Sequence, residues 1–328
     1  MKNSTSSAPA LESKGASTLA IWGALIAVYI TWGSTYLAIR FAVQTMPPFL
    51  MAATRFLFAG AVLYAFRRLR GDPPPTRVEW RSAAIVGLLL LAGANGSVVW
   101  AEQLVVSGIA ALMVASAPLW MVLIDALRPG GRWPDGKAIF GVVLGFGGIA
   151  LLVWPVGGAS IKEGVNPVGA GVLVLASILW AAGSLYNRGA RLPASPLLGT
   201  GMEMLAGGAG LVVMGTLTGE WSRVDLAGIS TASLLGLGYL IVFGAWVGFA
   251  SYTWVLRVAP TTLVSTYAYV NPLIAIFVGN LVASEPLTPR VLIAAAIIVT
   301  SVALITVTQG RRRKSKVAEV PKYSSGDD

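Results

Sequence analysis

Ten long apolar stretches constrain the fold of this chain more than any other feature of its sequence. A helix needs about 20 apolar residues to cross the ~30 Å hydrocarbon core of a bilayer, and each stretch is close to that length. Charged residues make up only 12% of the 328 residues, about half the share of an ordinary soluble protein. We therefore predict an all-α membrane protein with ten transmembrane helices, at residues 18–39, 48–66, 83–100, 107–127, 137–154, 168–187, 196–217, 230–255, 260–281 and 291–307.

The basic residues predict which way the helices cross the membrane. Nineteen of the 24 Lys and Arg residues lie on one side of the predicted bundle together with both tails, and only four lie on the other side. Positive charge concentrates in cytoplasmic loops, so we expect a multi-pass protein of the bacterial inner membrane with both termini in the cytoplasm. Residues 1–17 lack the apolar core of a signal peptide and predict a disordered cytoplasmic tail. Residues 308–328 predict a basic cytoplasmic tail.

An internal repeat covers nearly everything between the tails. A shift of 148 residues, which becomes 154 after a longer proline-rich loop, superimposes matching residues in the two halves: Trp32 on Trp180, Arg40 on Arg188, Pro48 on Pro196, Gly60 on Gly208, Gly71 on Gly219, Trp100 on Trp254 and Pro118 on Pro272. Each half holds five spans, so the second must be inverted relative to the first. The prediction is two inverted five-helix repeats, residues 18–155 and 167–307, around a central cavity near the bilayer midplane.

Composition also excludes several kinds of chemistry. The chain has no Cys and no His, which removes disulfides, thiolate metal sites and the usual proton shuttle near neutral pH. We expect no metal, no cofactor and no catalytic residues. The formal charge of +10 is spread over short segments between apolar runs, a membrane-topology pattern rather than a nucleic-acid-binding face. The expected partners are a small-molecule substrate and the lipid bilayer, and we expect a monomer.

Several short motifs lie in or beside the predicted helices: Trp32-Gly33-Ser34 with Tyr36 and Arg40, Pro47-Pro48 with Arg55, Pro118 and Pro272, and Glu285-Pro286-Leu287-Thr288. Together they resemble the drug/metabolite transporter superfamily and, within it, the ten-helix EamA-type exporters. The resemblance spans about 290 residues and implies a basket-like bundle that exports amino acids, aromatic ones among them, or related metabolites. One departure is Gly131-Arg132-Trp133-Pro134, which stands where a Glu-Pro pair would parallel Glu285-Pro286.

Two intramembrane charges are candidates for function. Arg55 and Glu203 occupy equivalent positions under the 148-residue shift, and their predicted depths differ by roughly 10 Å. Long side chains at these depths could meet directly or through water. In the functional interpretation Arg55 holds a carboxylate and Glu203 holds an amine or a proton. The alternatives are a structural ion pair or an Arg55 that caps carbonyls of a broken helix.

Polar and aromatic faces of the helices supply the other candidates. Unmatched polar atoms find no water in lipid, so these faces should point inward, toward a ligand or toward a neighbouring helix. The predicted substrate-binding residues are Tyr29, Trp32, Tyr36, Asn95, Trp100, Trp180, Ser184, Glu203, Tyr239, Trp246 and Tyr269. For the aromatic residues, an interfacial belt or plain helix packing is the competing interpretation.

The function predicted from these features is a secondary transporter that exports amino acids or related small metabolites by alternating access. Multidrug, sugar or other metabolite efflux is the alternative. Proton coupling through Glu203 or Glu102 and uncoupled exchange are equally consistent with the sequence. A membrane-embedded enzyme is disfavoured because the carboxylates near the membrane surfaces, Glu102, Asp125 and Glu285, are scattered rather than clustered for metal and phosphate.

Overall fold

The computed structural model describes residues 17–129, 133–154, 165–259 and 261–318, and these ranges contain helices and no β-strand. Nine of the described helices are long and apolar enough to cross a membrane, and the shorter apolar helix Tyr267–Ala283 supplies a tenth span. The prediction of an all-α membrane fold is confirmed. Residues 1–16 of the predicted N-terminal tail lie outside the described ranges.

The spans are numbered α1 to α10 in chain order, and most begin within a few residues of their predicted positions. Their bounds are α1 Thr18–Ala42, α2 Pro48–Leu69, α3 Arg77–Ala101, α4 Ser107–Leu127, α5 Gly136–Val153, α6 Pro167–Asn187, α7 Pro196–Leu217, α8 231–258, α9 Thr261–Val264 with Tyr267–Ala283, and α10 Pro289–Ala318. Within α3 and α8 the helix widens into π-helical stretches, at Leu88–Asn95 and Leu240–Val247. Such stretches occur mostly at functional sites.

Two spans predicted to be continuous are interrupted. The α4 helix stops at Val114 and resumes at Ala117, and α9 stops at Val264 and resumes at Tyr267. In α4, Pro118 directly follows the break, and a proline has no N–H to donate to the carbonyl four residues earlier, which is that of Val114. In α9, Pro272 lies inside the resumed helix, beyond the break, where the hydroxyl of Thr266 donates to the Leu263 carbonyl at 2.6 Å. The α4 break therefore follows from its proline, whereas the α9 break coincides with a side-chain hydrogen bond to the backbone.

The last helix is longer than predicted. It does not end at residue 307 but continues to Ala318, so about half of the predicted C-terminal tail has helical backbone. The sequence after residue 307 contains Arg and Lys, which are good helix formers and favourable at a helix C-terminus, and no proline before Pro321. Residues 319–328 lie outside the described ranges.

Helix packing repeats itself between the two halves. The α2 helix packs against its repeat mate α7, and α5 packs against its repeat mate α10. The contact of α1 with α9 has its counterpart in α6 with α4, and the contact of α1 with α8 has its counterpart in α6 with α3. This is the pairing pattern of two inverted repeats around a pseudo-two-fold axis.

The repeat also holds at the level of one turn. Gly71 and Gly219 both have positive φ, 90° and 69°, a conformation that glycine adopts without steric cost. Each is followed by an acid whose side chain contacts the N-terminal end of the corresponding helix in the other half. The buried carboxylate of Glu220 accepts from the Phe49 and Leu50 N–H groups at 3.2 and 2.9 Å, at the start of α2. Asp72 interacts with Ser195, the residue before α7.

Candidate substrate site

A cavity of about 160 Å³ lies between the two halves. It is lined by α1, α3, α6, α8 and α9, the helices expected from sequence, and also by α2 and α4. The wall carries one cationic side chain, two amides and a group of aromatic rings, which are Arg55, Asn95, Asn271, Trp32, Tyr36, Phe56, Trp180, Phe249 and Tyr267. Apolar and aromatic walls with a few convergent polar groups are typical of small-molecule sites.

Arg55 is the charged group of this cavity. Its side chain is 5% exposed, and its Nε and Nη1 have no hydrogen-bond partner among the described residues. The guanidinium carbon lies 4.7 Å from the ring centre of Phe56. A buried cation without a counter-ion is costly, and the cost falls when an anion enters. The geometry therefore equips the cavity to bind a carboxylate or another small anion.

Two amides complement this positive group. Asn95 comes from the π-helical stretch of α3, and Asn271 precedes the proline of α9. The Oδ1 atoms of both are buried and lack a partner within the described part of the chain. Buried acceptors without donors are costly, so an ammonium or hydroxyl on a ligand would be stabilised here. Asn271 was not among the predicted binding residues, although a buried amide beside a proline inside a membrane helix is a signal that could have indicated it.

The aromatic wall is held in place by its own contacts. The Trp32 ring centre lies 5.2 Å from that of Phe249, 5.0 Å from Tyr252 and 5.4 Å from Tyr267, which are favourable aromatic spacings. Its indole N–H donates to the Gly244 carbonyl at 3.2 Å. The indole fits only because position 248 is glycine, since a Cβ there would lie 2.3 Å from Nε1. Of these rings, only Trp32 was predicted.

Four of the predicted substrate-binding residues line the cavity: Trp32, Tyr36, Asn95 and Trp180. The other seven described candidates, Tyr29, Trp100, Ser184, Glu203, Tyr239, Trp246 and Tyr269, lie outside its wall. Three of these bond to neighbouring helices instead: Tyr29 to Thr266, Tyr239 to Ser34 at 2.6 Å, and Trp246 to the Ala59 carbonyl at 3.3 Å. The polar atoms of these three side chains therefore bond to neighbouring helices, as expected if the residues serve helix packing rather than substrate binding.

The two intramembrane charges are not brought together. Arg55 reaches Gly244 in α8, whereas Glu203 packs beside Gly87 in α3, whose hypothetical Cβ would lie 2.2 Å from the Glu203 carbonyl oxygen. No hydrogen bond or ion pair joins the two charges in the described structure. Equivalent positions in α2 and α7 face different neighbouring helices, so sequence equivalence does not imply contact.

Comparison with known proteins identifies the fold and the class of activity. The model of the EamA-like transporter family matches the chain twice, at residues 18–154 and 167–307. This chain belongs to the EamA-like transporter family. It is 39% identical over 290 residues to the inner membrane transporter YedA of Escherichia coli K12, covering 88% of this chain and 91% of that protein.

More distant proteins are similar to this chain over most of its length. The WAT1-related chloroplastic protein At3g02690 of Arabidopsis thaliana is 26% identical over 304 residues, covering 91% of this chain and 72% of that protein. A solved crystal structure shares the fold with a TM-score of 0.58 and 23% identity, covering 92% of this chain and all of that one. The chain is a membrane transporter, with a small-molecule substrate and a lipid environment.

Proposed function

We propose that this transporter exports amino acids, including aromatic ones, or closely related metabolites by alternating access between its two halves. The halves would be residues 18–155 and 167–307, with both termini in the cytoplasm, acting as a monomer. The observation that carries the proposal is the guanidinium of Arg55 on the cavity wall, whose Nε and Nη1 have no hydrogen-bond partner among the described residues. Inverted repeats place substrate sites between the halves and open them to each side in turn.

The arrangement of groups around the cavity supports an amino acid as the substrate. A carboxylate would pair with Arg55, an ammonium group would donate to the amide oxygens of Asn95 and Asn271, and an apolar or aromatic side chain would contact Trp32 and Tyr267. Arg binds carboxylates with directed, often bidentate hydrogen bonds. A neutral sugar or a cationic drug would leave the guanidinium unpaired, which makes sugar or multidrug efflux the weaker candidate.

An exchange assay tests the substrate class: proteoliposomes are loaded with labelled phenylalanine, and the release of label is measured when a candidate substrate is added outside. Phenylalanine should compete for exchange more strongly than phenethylamine, which lacks the carboxylate, and than 3-phenylpropionate, which lacks the ammonium. A charge-assisted hydrogen bond is worth about 1.5–3 kcal/mol, so the loss of either group should weaken competition roughly ten- to hundredfold. If no aromatic, branched or small amino acid crosses, the amino-acid proposal fails, while the transporter assignment stands.

The Arg55→Gln variant tests which group reads the carboxylate. We expect it to bind phenylalanine and phenethylamine about equally, because the charge that distinguishes them is gone. Arg70→Gln is the matched control, since Arg70 is an exposed residue that ends the same helix outside the cavity. Unchanged discrimination in Arg55→Gln would show that Arg55 has a structural role.

A further inference from the structure

A cluster of charged side chains joins the ends of three helices that line the cavity, α1, α4 and α9. Arg40, in the last turn of α1, pairs with Glu285 in the connection between α9 and α10. Glu285 also accepts from the N–H and hydroxyl of Ser107, at 3.0 and 2.7 Å, and from the Gly108 N–H at 3.0 Å. A carboxylate is stabilised at a helix N-terminus, so Glu285 joins the start of α4 to the end of α1.

Two residues of this cluster lie close, along their helices, to residues of the cavity wall. Ile39 and Ala111 line the cavity, whereas Arg40 is the next residue along α1 and Ser107 is one turn further out on α4. The Glu285 side is held firmly, since the Asn280 side-chain amide donates to its carbonyl at 2.8 Å. To open this end, the α1, α4 and α9 ends must separate, and the contacts of Glu285 must break.

The equivalent positions at the opposite end of the bundle carry no acid. Under the repeat shifts Arg40 corresponds to Arg188, but Glu285 corresponds to Gly131 and Glu102 to Leu256. Arg188 is exposed and forms no ion pair with any described residue. The duplication has kept the arginine at both ends, whereas at the positions of Glu102 and Glu285 a carboxylate is present in one repeat only. The cluster is therefore not a by-product of the pseudo-symmetric fold.

Glu102 is the second carboxylate of the Arg40 end, one residue beyond α3. Its side chain is 4% exposed, and neither carboxylate oxygen has a hydrogen bond of good geometry among the described residues, although the Arg40 backbone N–H lies close enough to favour the ionised form. The titratable groups that interact with it are Arg40 and Tyr36 from α1 and Glu285 from the α9–α10 connection. The described parts of α2 and α6, which also pack against this end of α3, add no further charge to it.

The position of Glu102 favours its neutral form. Burial raises the pKa of this carboxyl well above its ordinary value, and the nearby negative charge of Glu285 raises it further, while Arg40 acts in the opposite direction. With Glu102 protonated, the cluster holds one buried carboxylate, that of Glu285, and the guanidinium of Arg40, whose side chain is 32% exposed, and it is neutral overall. With Glu102 ionised, it holds two buried carboxylates for this one guanidinium, and the excess buried negative charge is destabilising.

We propose that Glu102 is a proton-binding site that controls the opening of the Arg40 end of the cavity. The neutral acid keeps this end closed around the Arg40–Glu285 pair. When the proton passes from Glu102 to water, the ionised carboxylate competes with Glu285 for Arg40, and separation of the helix ends lets water solvate the excess charge. The inference rests on the transporter assignment and is independent of the substrate proposed above.

Thiol labelling tests this directly because the chain has no Cys. A single Ala111→Cys on the cavity wall should react with a membrane-impermeant thiol reagent only when the Arg40 end is open. Gln103→Cys, at an exposed position next to Glu102, identifies the vesicles in which this end faces the reagent and gives the pH dependence of an exposed thiol. Relative to Gln103→Cys, labelling at Ala111→Cys should rise with pH, by about tenfold per unit below the pKa of Glu102.

Substitutions at the cluster then distinguish a proton site from a structural acid. Adding Glu102→Gln should hold the relative labelling at its low-pH value, Glu102→Asp should retain a pH-dependent rise, and Glu285→Gln should raise labelling at every pH. Glu203→Gln is the control, since it removes a carboxylate outside the cluster. A rise with pH that survives in Glu102→Gln, or relative labelling that never changes with pH in the parent, would overturn the proposal. Loss of amino-acid exchange with intact pH-dependent labelling would contradict the proposed substrate alone.

Discussion

At the scale of single residues, burial without a partner separates the groups that a ligand can use from those that the fold has already satisfied. Arg55, Asn95 and Asn271 keep unpartnered atoms on the cavity wall. Glu220 is just as polar and is 1% exposed, yet its oxygens accept from two backbone N–H groups. Residue type and depth alone do not separate these cases, because the partners come from distant parts of the chain.

Two tryptophans provide a matched test of the aromatic wall. Trp32 and Trp246 are both half-buried, and each donates its indole N–H to a backbone carbonyl, of Gly244 and of Ala59. Only Trp32 lines the cavity. Replacement by Phe removes one hydrogen bond in each variant, which should lower the free energy of unfolding by about 1 kcal/mol. We expect similar losses of thermal stability, but Trp32→Phe alone should raise the KM for phenylalanine, by about three- to tenfold. Equal KM values in the two variants would remove Trp32 from the binding wall.

At the scale of helices, small residues decide how closely the spans approach. A Cβ on Gly145 of α5 would lie 2.5 Å from the Ser301 hydroxyl oxygen in α10 and 2.6 Å from Leu119 in α4. Gly147, two residues later on the same helix, has nothing within 4 Å of such a Cβ. A Cβ on Gly141, one turn earlier on α5, would likewise lie 2.9 Å from the Ile305 side chain, and small residues four positions apart allow helices to pack tightly in membranes.

The two glycines therefore predict opposite effects of the same substitution. Gly145→Ala should destabilise the protein by about 1–3 kcal/mol, because the added methyl forces α5 away from α10. Gly147→Ala should be neutral or slightly stabilising, because it improves helix propensity without a clash. Thermal unfolding of the two purified variants in detergent measures the difference. Equal midpoints would mean that α5 and α10 do not pack as described.

At the scale of the whole molecule, the inverted repeat leaves the two ends of the bundle chemically different. The Arg40 end carries Glu102 and Glu285, whereas the equivalent positions of the Arg188 end carry no acid. If the two halves had identical sequences, the Arg40 end and the Arg188 end of the bundle would be chemically equivalent. A difference of a few residues is enough to give one end a proton-binding site, because an unpaired buried carboxylate raises the free energy of the closed state by several kcal/mol.

The proposed orientation makes a prediction about which end meets each side of the membrane. Single Gln103→Cys and Gly189→Cys variants place thiols at exposed positions near opposite ends of the bundle. We expect an impermeant reagent to label Gln103→Cys in intact cells and to label Gly189→Cys only after permeabilisation, because basic segments remain in the cytoplasm. The reverse pattern would invert the proposed orientation and would place the Arg40 end of the bundle at the cytoplasmic side.

The sequence by itself determined the number of spans, their approximate ends and the inverted duplication, because apolar length, charge asymmetry and matched Trp, Pro and Gly positions are properties that can be counted along a chain. It also placed Trp32, Tyr36, Asn95 and Trp180 on inward faces. Only the tertiary structure decided that Arg55 lies on the cavity wall while Glu203 does not, and that Glu102 lies beside the Arg40–Glu285 pair. Those facts depend on which neighbouring helix each face meets, and helix periodicity specifies the face but not the neighbour.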